Sequence, residues 1–194
     1  MAESIFHLCA KYSIKLVVRW VPREMIPYTD HISKTVDHDD WYSTVEMFNF
    51  VDEKWGPHTV DRFADSSNTK LPRFNSKFYC PNTEQVDALS ISWGNENNYL
   101  VPPVSLIPTV LQHMGSFEGR GTLITPYWPS AAFFPLLKQD KQNFHGFVKD
   151  SVYMPCSKNL IKQGNNKNVF IGSEKFTSGM LVLRLDFRQR DTPQ

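Results

Sequence analysis

The segment from Ser43 to Gly56 is predicted to be a helix. Ser43 and Glu46 have capping-box spacing, in which a Ser or Thr side chain and a Glu three residues later satisfy the first free N–H groups of a helix. Gly56 is placed to end the helix. The apolar positions behind the cap recur with helical period and form one face, consisting of Met47, Phe48, Val51 and Trp55.

Four apolar segments have strand character and alternate with two further helical segments. The predicted strands are residues 58–63, 99–101, 122–125 and 180–187, and the predicted helices are residues 106–114 and 131–138. Alternation of this kind favours an α/β sheet with helices on both faces. Ligands of such sheets bind at the carboxyl ends of the strands. The pattern places there Asp61, Pro102-Pro103 and Pro126-Tyr127-Trp128.

The start of the chain has a different character. One apolar helix face, made of Ile5, Leu8, Cys9 and Tyr12, is followed by a predicted strand at residues 15–21. One helix and one strand cannot enclose a core, so we expect this segment to be the remnant of a longer domain or a cap on the rest of the chain. Residues 66–93 and 158–176 have few periodic features, and we expect both to be long loops.

Composition and net charge exclude several kinds of binding site and partner. The formal net charge of +1 gives no global attraction to nucleic acid, so any such contact must be local. Three widely separated cysteines do not form a disulfide framework or a cysteine zinc site, and the six histidines lack the close spacing of metal ligands. No apolar run is long enough for a bilayer and the start lacks a signal peptide. We therefore expect a soluble, intracellular protein, in the nucleus or cytoplasm, with no membrane partner and no metal.

Residues 1–36 resemble the end of the ribonuclease H domain of retroelement polymerases. The resemblance is carried by Leu8-Cys9-Ala10-Lys11-Tyr12, by Trp20-Val21-Pro22-Arg23-Glu24 and by Asp30-His31-Ile32-Ser33-Lys34. In that family a cluster of carboxylates holds two catalytic metal ions. Only Asp30 falls on such a position, and one carboxylate cannot hold two ions, so ribonuclease activity is not expected. The alternative interpretation of Asp30 is a helix-capping or solvated acid.

Residues 37–194 resemble the DNA N6-adenine methyltransferases of the phage Dam type. A domain with nearly the same sequence pattern follows ribonuclease H in retrotransposons of the DIRS and Ngaro type. The matching segments are Asp39-Asp40-Trp41-Tyr42-Ser43, Trp55 to Ala64, Leu71-Pro72-Arg73-Phe74, Pro102-Pro103, Trp128-Pro129 and Leu183 to Arg188. The resemblance implies a Rossmann-like methyltransferase sheet with helices on both faces, belonging to a polyprotein fragment.

The same resemblance implies a site for S-adenosylmethionine. In the family, the acid that ends the first strand, here Asp61, lies at the cofactor-binding end, and the segment Trp41-Tyr42-Ser43 packs over the cofactor. The alternative for Asp61 is an acid that starts a turn after a strand. The alternative for the tryptophans is that they fill a core.

The adenine site of the family is an Asx-Pro-Pro-aromatic segment. Its polar side chain and a proline carbonyl accept hydrogen bonds from the amine, and its ring stacks on a flipped-out base. In this chain the prolines are Pro102 and Pro103, but Val101 replaces the Asx residue and Val104 the aromatic one. The sequence therefore predicts an impaired methyltransferase-like domain that acts on or binds nucleic acid. The alternative is an active S-adenosylmethionine-dependent DNA methyltransferase.

A basic stretch offers a candidate nucleic-acid surface. Lys70, Arg73 and Lys77 alternate with three aromatic residues, Phe74, Phe78 and Tyr79. Basic and aromatic side chains together bind phosphates and stack on bases. The alternative is a solvated loop with some buried aromatic residues. The partners implied by the resemblance are DNA or RNA–DNA intermediates of a retroelement and the remainder of the polymerase polyprotein.

Overall fold

A computed structural model of the chain describes residues 7, 9–15, 17, 41–157, 159–164 and 170–188. Contacts divide the chain into two compact units, Met1–Val36 and Asp37–Gln194. In the first unit, residues 7 and 9–11 are helical, where the pattern predicts a helix. Residues 15 and 17 are irregular, and the rest of the predicted strand lies outside the described residues, as does Asp30.

The second unit contains both strands and helices. Its strands are β1 (Trp41–Ser43), β2 (Val60–Asp61), β3 (Asn75–Ser76), β4 (Gln85–Val86), β5 (Asn97–Leu100), β6 (Arg120–Pro126), β7 (Val148–Met154), β8 (Ile161–Gln163) and β9 (Met180–Asp186). Its α-helices are α1 (Val45–Trp55) and α2 (Ile107–Ser116). Short 3-10 turns cover Ala88–Ser90, Val104–Leu106 and Phe134–Leu136.

The central sheet is mixed and has five strands in the order β2-β5-β6-β9-β7. Strands β2, β5 and β6 are parallel, whereas β9 is antiparallel to both β6 and β7. Helix α2 connects β5 to β6, as expected for neighbouring parallel strands. Two smaller pairs accompany the sheet, β1 with β8 and β3 with β4. The α/β class predicted from the alternation is therefore confirmed.

Helix α1 begins one residue later than the capping-box spacing predicts. Thr44 is the N-cap, and its hydroxyl oxygen accepts the backbone N–H of Met47 at 3.2 Å. Ser43 instead belongs to β1. The helix ends at Gly56 as predicted, where the glycine N–H donates to the carbonyl of Asp52 at 2.8 Å.

Apolar side chains cover both faces of the sheet. Alternate residues of β5 point to opposite faces, so Tyr99 joins a cluster with α1 whereas Leu100 joins one with α2. The α1-side cluster contains Trp41, Met47, Val51, Trp55, Tyr99, Val101, Ile124, Ile161, Ile171, Phe176, Met180 and Val182. The α2-side cluster contains Ala88, Trp93, Leu100, Ile107, Val110, Leu111, Met114, Leu123, Phe133, Phe134, Leu137, Leu181, Leu183 and Leu185.

The helix predicted at residues 131–138 is wrong. Only Phe134–Leu136 forms a 3-10 turn there. Pro135 has no N–H to donate, and inside a longer helix its ring would clash with the preceding turn. The pattern also missed β7, which lies at the edge of the sheet and whose side chains are mostly half-exposed or exposed. The two predicted loops are largely irregular, but they contain the short strands β3, β4 and β8.

Candidate functional site

The parallel strands β2, β5 and β6 end at one edge of the central sheet, the carboxyl edge. Asp61 is the last residue of β2, Leu100 the last of β5 and Pro126 the last of β6. Asp61 is paired with Tyr99 in the neighbouring strand. This edge is where an open α/β sheet binds its ligands. It therefore brings together the segments that the sequence singled out.

The Pro102-Pro103 segment leaves β5 at this edge and leads into α2. Val101 is only 4% exposed and packs in the α1-side cluster, while Val104 contacts both clusters. The carbonyl of Pro103 accepts the N–H of Leu106 at 2.9 Å. The segment thus has neither a polar side chain nor an aromatic ring for a base, and one of its carbonyls is already bonded within the chain.

Two of the residues predicted to bind a cofactor, Trp41 and Ser43, are buried. Trp41 is 4% exposed, and its indole nitrogen has no hydrogen-bond partner. Ser43 is buried too, and its hydroxyl oxygen accepts the phenol O–H of Tyr99 at 2.7 Å. Neither side chain is presented to a ligand from outside.

Asp61 is also buried, and its carboxylate closes the loop that follows β2. One of its oxygens accepts the backbone N–H of Lys70 at 3.1 Å. Burial raises the pKa of Asp61 to about 6, against the opposing effect of the backbone hydrogen bonds and of the nearby Lys70. The ammonium group of Lys70 in turn lies 5.1 Å from the centre of the Tyr42 ring. Lys70 therefore lies beside both Asp61 and Tyr42, two of the predicted cofactor residues.

Tyr42 is the predicted cofactor residue that lines an open cleft. The cleft has a volume of about 370 Å³ and lies beside β1 and β8. The other lining residues are Ile161, Lys162, Gln163, Gly164, Gly172, Ser173 and Glu174. Trp41, Ser43 and Asp61 are not among them. The arrangement does not fit S-adenosylmethionine in the way the resemblance implies, since three of the four residues do not share the cleft.

The predicted nucleic-acid residues have different surroundings from one another. Phe74 is 2% exposed, which removes it from the surface that was predicted to stack on bases. The guanidinium of Arg73 donates to both carboxylate oxygens of Glu84, at 2.9 and 2.8 Å, and to Glu96 at 2.9 Å. These two glutamates raise the pKa of Arg73. Its positive charge is therefore compensated within the chain.

Lys77 remains on the surface together with the aromatic residues that follow it. Its ammonium group lies 5.6 Å from the centre of the Phe78 ring. Phe78 and Tyr79 are 71% and 75% exposed. Of the predicted basic and aromatic stretch, residues 77–79 are thus the part that could meet a nucleic acid.

The sequence patterns gave no sign of a buried arginine next to Asp61. Arg62 is 4% exposed and donates to the side-chain oxygens of Asn98 and Asn75, at 2.7 and 2.8 Å. Its guanidinium also lies 5.4 Å from the centre of the Trp93 ring. Burial lowers the pKa of Arg62 to about 10. This polar cluster ties β2 to β5, and its burial keeps a substrate from reaching it.

A second buried chain of polar groups joins α1 to the sheet. One ring nitrogen of His58 lies 2.7 Å from a carboxylate oxygen of Asp52, and the other lies 2.8 Å from the hydroxyl of Thr122. Burial lowers the pKa of His58, with Asp52 acting in the opposite direction. An acid, a histidine and a hydroxyl in series can activate a nucleophile. Because Thr122 is fully buried in β6, this series is structural.

Comparison with known proteins adds no relative. No protein-family model matches the chain. No curated protein matches it either.

Within the described residues, no cluster of three or more His, Cys, Asp or Glu side chains could hold a metal ion. The same part of the chain has no helix that is both long and apolar enough to span a bilayer.

Proposed function

We propose that this chain contains the methyltransferase-like domain of a DIRS- or Ngaro-type retroelement polyprotein, and that it binds nucleic acid without methylating adenine. Its partners are DNA or RNA–DNA intermediates of the element and the remainder of the polymerase polyprotein, in the nucleus or the cytosol. Two things support the proposal: the sequence resemblance, and the arrangement of side chains at the carboxyl edge.

The observation that carries the proposal is the composition of the segment after β5. Two prolines stand where the family has them, at the end of a parallel strand, but a buried valine precedes them and a half-buried valine follows. An adenine amine needs an aimed acceptor to become nucleophilic, and removing one such group commonly costs about 10²- to 10³-fold in rate. The loss of the stacking ring removes the affinity for a flipped base as well.

The cofactor residues support the same conclusion. The carboxylate of Asp61 is bonded to the backbone of its own loop, and the hydroxyl of Ser43 is bonded to Tyr99. A bound S-adenosylmethionine would have to displace these contacts to reach the two side chains. Nucleic-acid binding depends on neither residue, because it uses exposed side chains.

A methyl-transfer assay tests the first half of the proposal. The full chain is incubated with S-adenosylmethionine carrying a radiolabelled methyl group and with DNA that contains unmethylated adenine, beside an active phage Dam-type enzyme as positive control. We expect no label in the DNA from the native chain. Calorimetry with S-adenosylmethionine on the same preparation is expected to show no binding. Label that enters the DNA and is lost in Asp61→Ala would establish the active enzyme instead.

An oligonucleotide-binding assay tests the second half. Fluorescence anisotropy of labelled single-stranded and duplex DNA is measured at several salt concentrations. We expect weak binding that falls steeply as salt rises, because the net charge of only +1 leaves binding to local basic side chains and their phosphate contacts release counterions. Absence of binding at low salt would refute the proposed function.

A further inference from the structure

Two exposed tyrosines from different strands lie against each other at the carboxyl edge. Tyr127 follows β6 and is 41% exposed, and Tyr153 lies near the end of β7 and is 54% exposed. Their ring centres are 5.1 Å apart at an interplanar angle of 75°. On the other side of Tyr127 the ring of Phe134 is 5.6 Å away at 81°. Tyr127 contacts both other rings, so the three form a row in which the buried Phe134 supports Tyr127.

The backbone holds this row in place. The N–H of Tyr127 donates to the carbonyl of Gly179 at 2.8 Å. The Tyr153 ring lies over Gly179 so closely that a Cβ there would approach the phenol oxygen and ring carbons to 2.5–2.6 Å. Glycine is thus the residue that allows this ring position. Aromatic rings that are fixed before binding lose little conformational entropy when a partner stacks on them.

The two segments that carry the three rings contain no carboxylate. Leu136 is 45% exposed and belongs to the turn that carries Phe134. Residues 127–139, which carry Tyr127 and Phe134, contain Lys138 but no Asp or Glu, and residues 151–157 contain no charged residue. A polyanion can therefore approach this surface without meeting a negative side chain from either segment.

We propose that Tyr127 and Tyr153 form a stacking platform for unpaired bases of single-stranded nucleic acid. Base-aromatic stacking tolerates any sequence, because every base has a π face. The platform lies at the same carboxyl edge as Val104, which has no ring to stack on a base. The platform therefore supplies a base contact at a different point of that edge. This inference rests on the proposed nucleic-acid binding and names the side chains that do it.

The exposed pair Phe78 and Tyr79 is the rival surface within the described residues. These rings are neighbours in one loop, and the ammonium group of Lys77 lies 5.6 Å from the centre of the Phe78 ring. Tyr127 packs against both Tyr153 and Phe134, and Tyr153 packs against Gly179, which makes Tyr127 and Tyr153 the more preorganised pair.

The test is binding of a fluorescein-labelled oligothymidylate of about twenty nucleotides to the full chain, measured by anisotropy at low salt. We expect Tyr127→Ala and Tyr153→Ala each to weaken binding by roughly 5- to 150-fold. Tyr127→Phe keeps the ring and should bind like the native chain. Gly179→Ala should also weaken binding, because it displaces the Tyr153 ring without removing it. Circular dichroism and thermal unfolding establish that each variant is folded.

The controls separate this inference from the proposed function. The double variant Phe78→Ala, Tyr79→Ala should weaken binding less than Tyr127→Ala does, and binding of duplex DNA of the same length should be insensitive to Tyr127→Ala. If the native chain binds the oligothymidylate and Tyr127→Ala binds equally well, the platform is refuted and the proposed function stands. A loss of affinity confined to the Phe78, Tyr79 variant also refutes the platform. So does unchanged affinity in Tyr127→Ala that is accompanied by a change from dimer to monomer. No binding by the native chain refutes both.

Discussion

Replacement of Gly121 by alanine is expected to destabilise the protein severely. Gly121 lies in β6, directly opposite Asn98 of the neighbouring parallel strand β5. A Cβ at this position would lie 2.2 Å from the carbonyl oxygen of Asn98 and 2.9 Å from its carbonyl carbon and Cβ. Two of these three atoms are backbone, so a change of side-chain rotamer cannot relieve the contact.

The size of the effect depends on the atoms that must move. Opening this contact to van der Waals distance requires the two strands to separate by about 1 Å. Asn98 is fully buried, and its side-chain amide donates to the carbonyls of Arg120 and Trp93, at 2.7 and 3.1 Å, and accepts from Arg62. Overpacking costs about 1–3 kcal/mol, and each weakened hydrogen bond about 1 kcal/mol. We therefore expect a loss of about 3 kcal/mol or more in the free energy of unfolding.

Gly115 provides a matched control for the same substitution. It lies within α2, where a Cβ would meet only the Phe187 ring at 3.6 and 3.7 Å, an ordinary contact. Alanine in place of glycine inside a helix stabilises by about 0.5–1 kcal/mol. Gly115→Ala should accordingly raise the free energy of unfolding.

Urea unfolding of both variants, followed by tryptophan fluorescence and by circular dichroism, measures the difference. The Gly121→Ala variant should also melt about 6–12 °C lower, given about 2–4 °C per kcal/mol for a protein of this length. A loss of less than about 1 kcal/mol in Gly121→Ala would refute the close approach of β5 and β6 at this position.

Two further predictions concern ionised side chains. Burial raises the pKa of Asp61 to about 6, so the folded state binds its proton more tightly than the unfolded state, and the free energy of unfolding should fall as the pH rises from about 4 to 7. Asp61→Asn should remove up to roughly 3 kcal/mol of this fall; urea unfolding at several pH values measures it, and an unchanged pH dependence would contradict the burial effect. Arg73→Gln should change oligonucleotide affinity less than about two-fold because Glu84 and Glu96 already compensate its charge. A large loss in the anisotropy assay would show that Arg73 meets phosphate after all.

Long, regularly patterned elements could be predicted from the sequence. Helix α1, with its apolar face and Gly56, and the buried strands β6 and β9 lie where the periodicity places them. Strand β7 was missed because it lies at the edge of the sheet, where the pairing with β9 determines it and not an apolar run of its own. The helix expected at residues 131–138 failed at Pro135, where a missing N–H outweighed the apolar pattern.

The candidate site was predictable as a location but not as a set of contacts. The rule of carboxyl strand ends correctly placed Asp61 and the Pro102-Pro103 segment at one edge. It could not show that Ser43 bonds to Tyr99 from 56 positions away, nor that Glu84 and Glu96 compensate Arg73. Such pairings depend on which side chains the fold brings together, and no local pattern encodes them. The row of Tyr127, Tyr153 and Phe134 is of the same kind.

The Pro102-Pro103 turn has a structural role that does not depend on methyl transfer. Pro103 accepts the N–H of Leu106 and so starts the turn that leads into α2. Val101 fills part of the α1-side cluster, and Val104 touches both clusters where the two faces of the sheet meet. Burying a valine stabilises by roughly 1.5–3 kcal/mol, whereas a buried polar side chain without a partner costs a similar amount. Beside these two prolines, where the flanking side chains pack against the core, valine is thus more stable than a polar side chain without a partner. The packing of the two valines against the core holds the geometry of this turn.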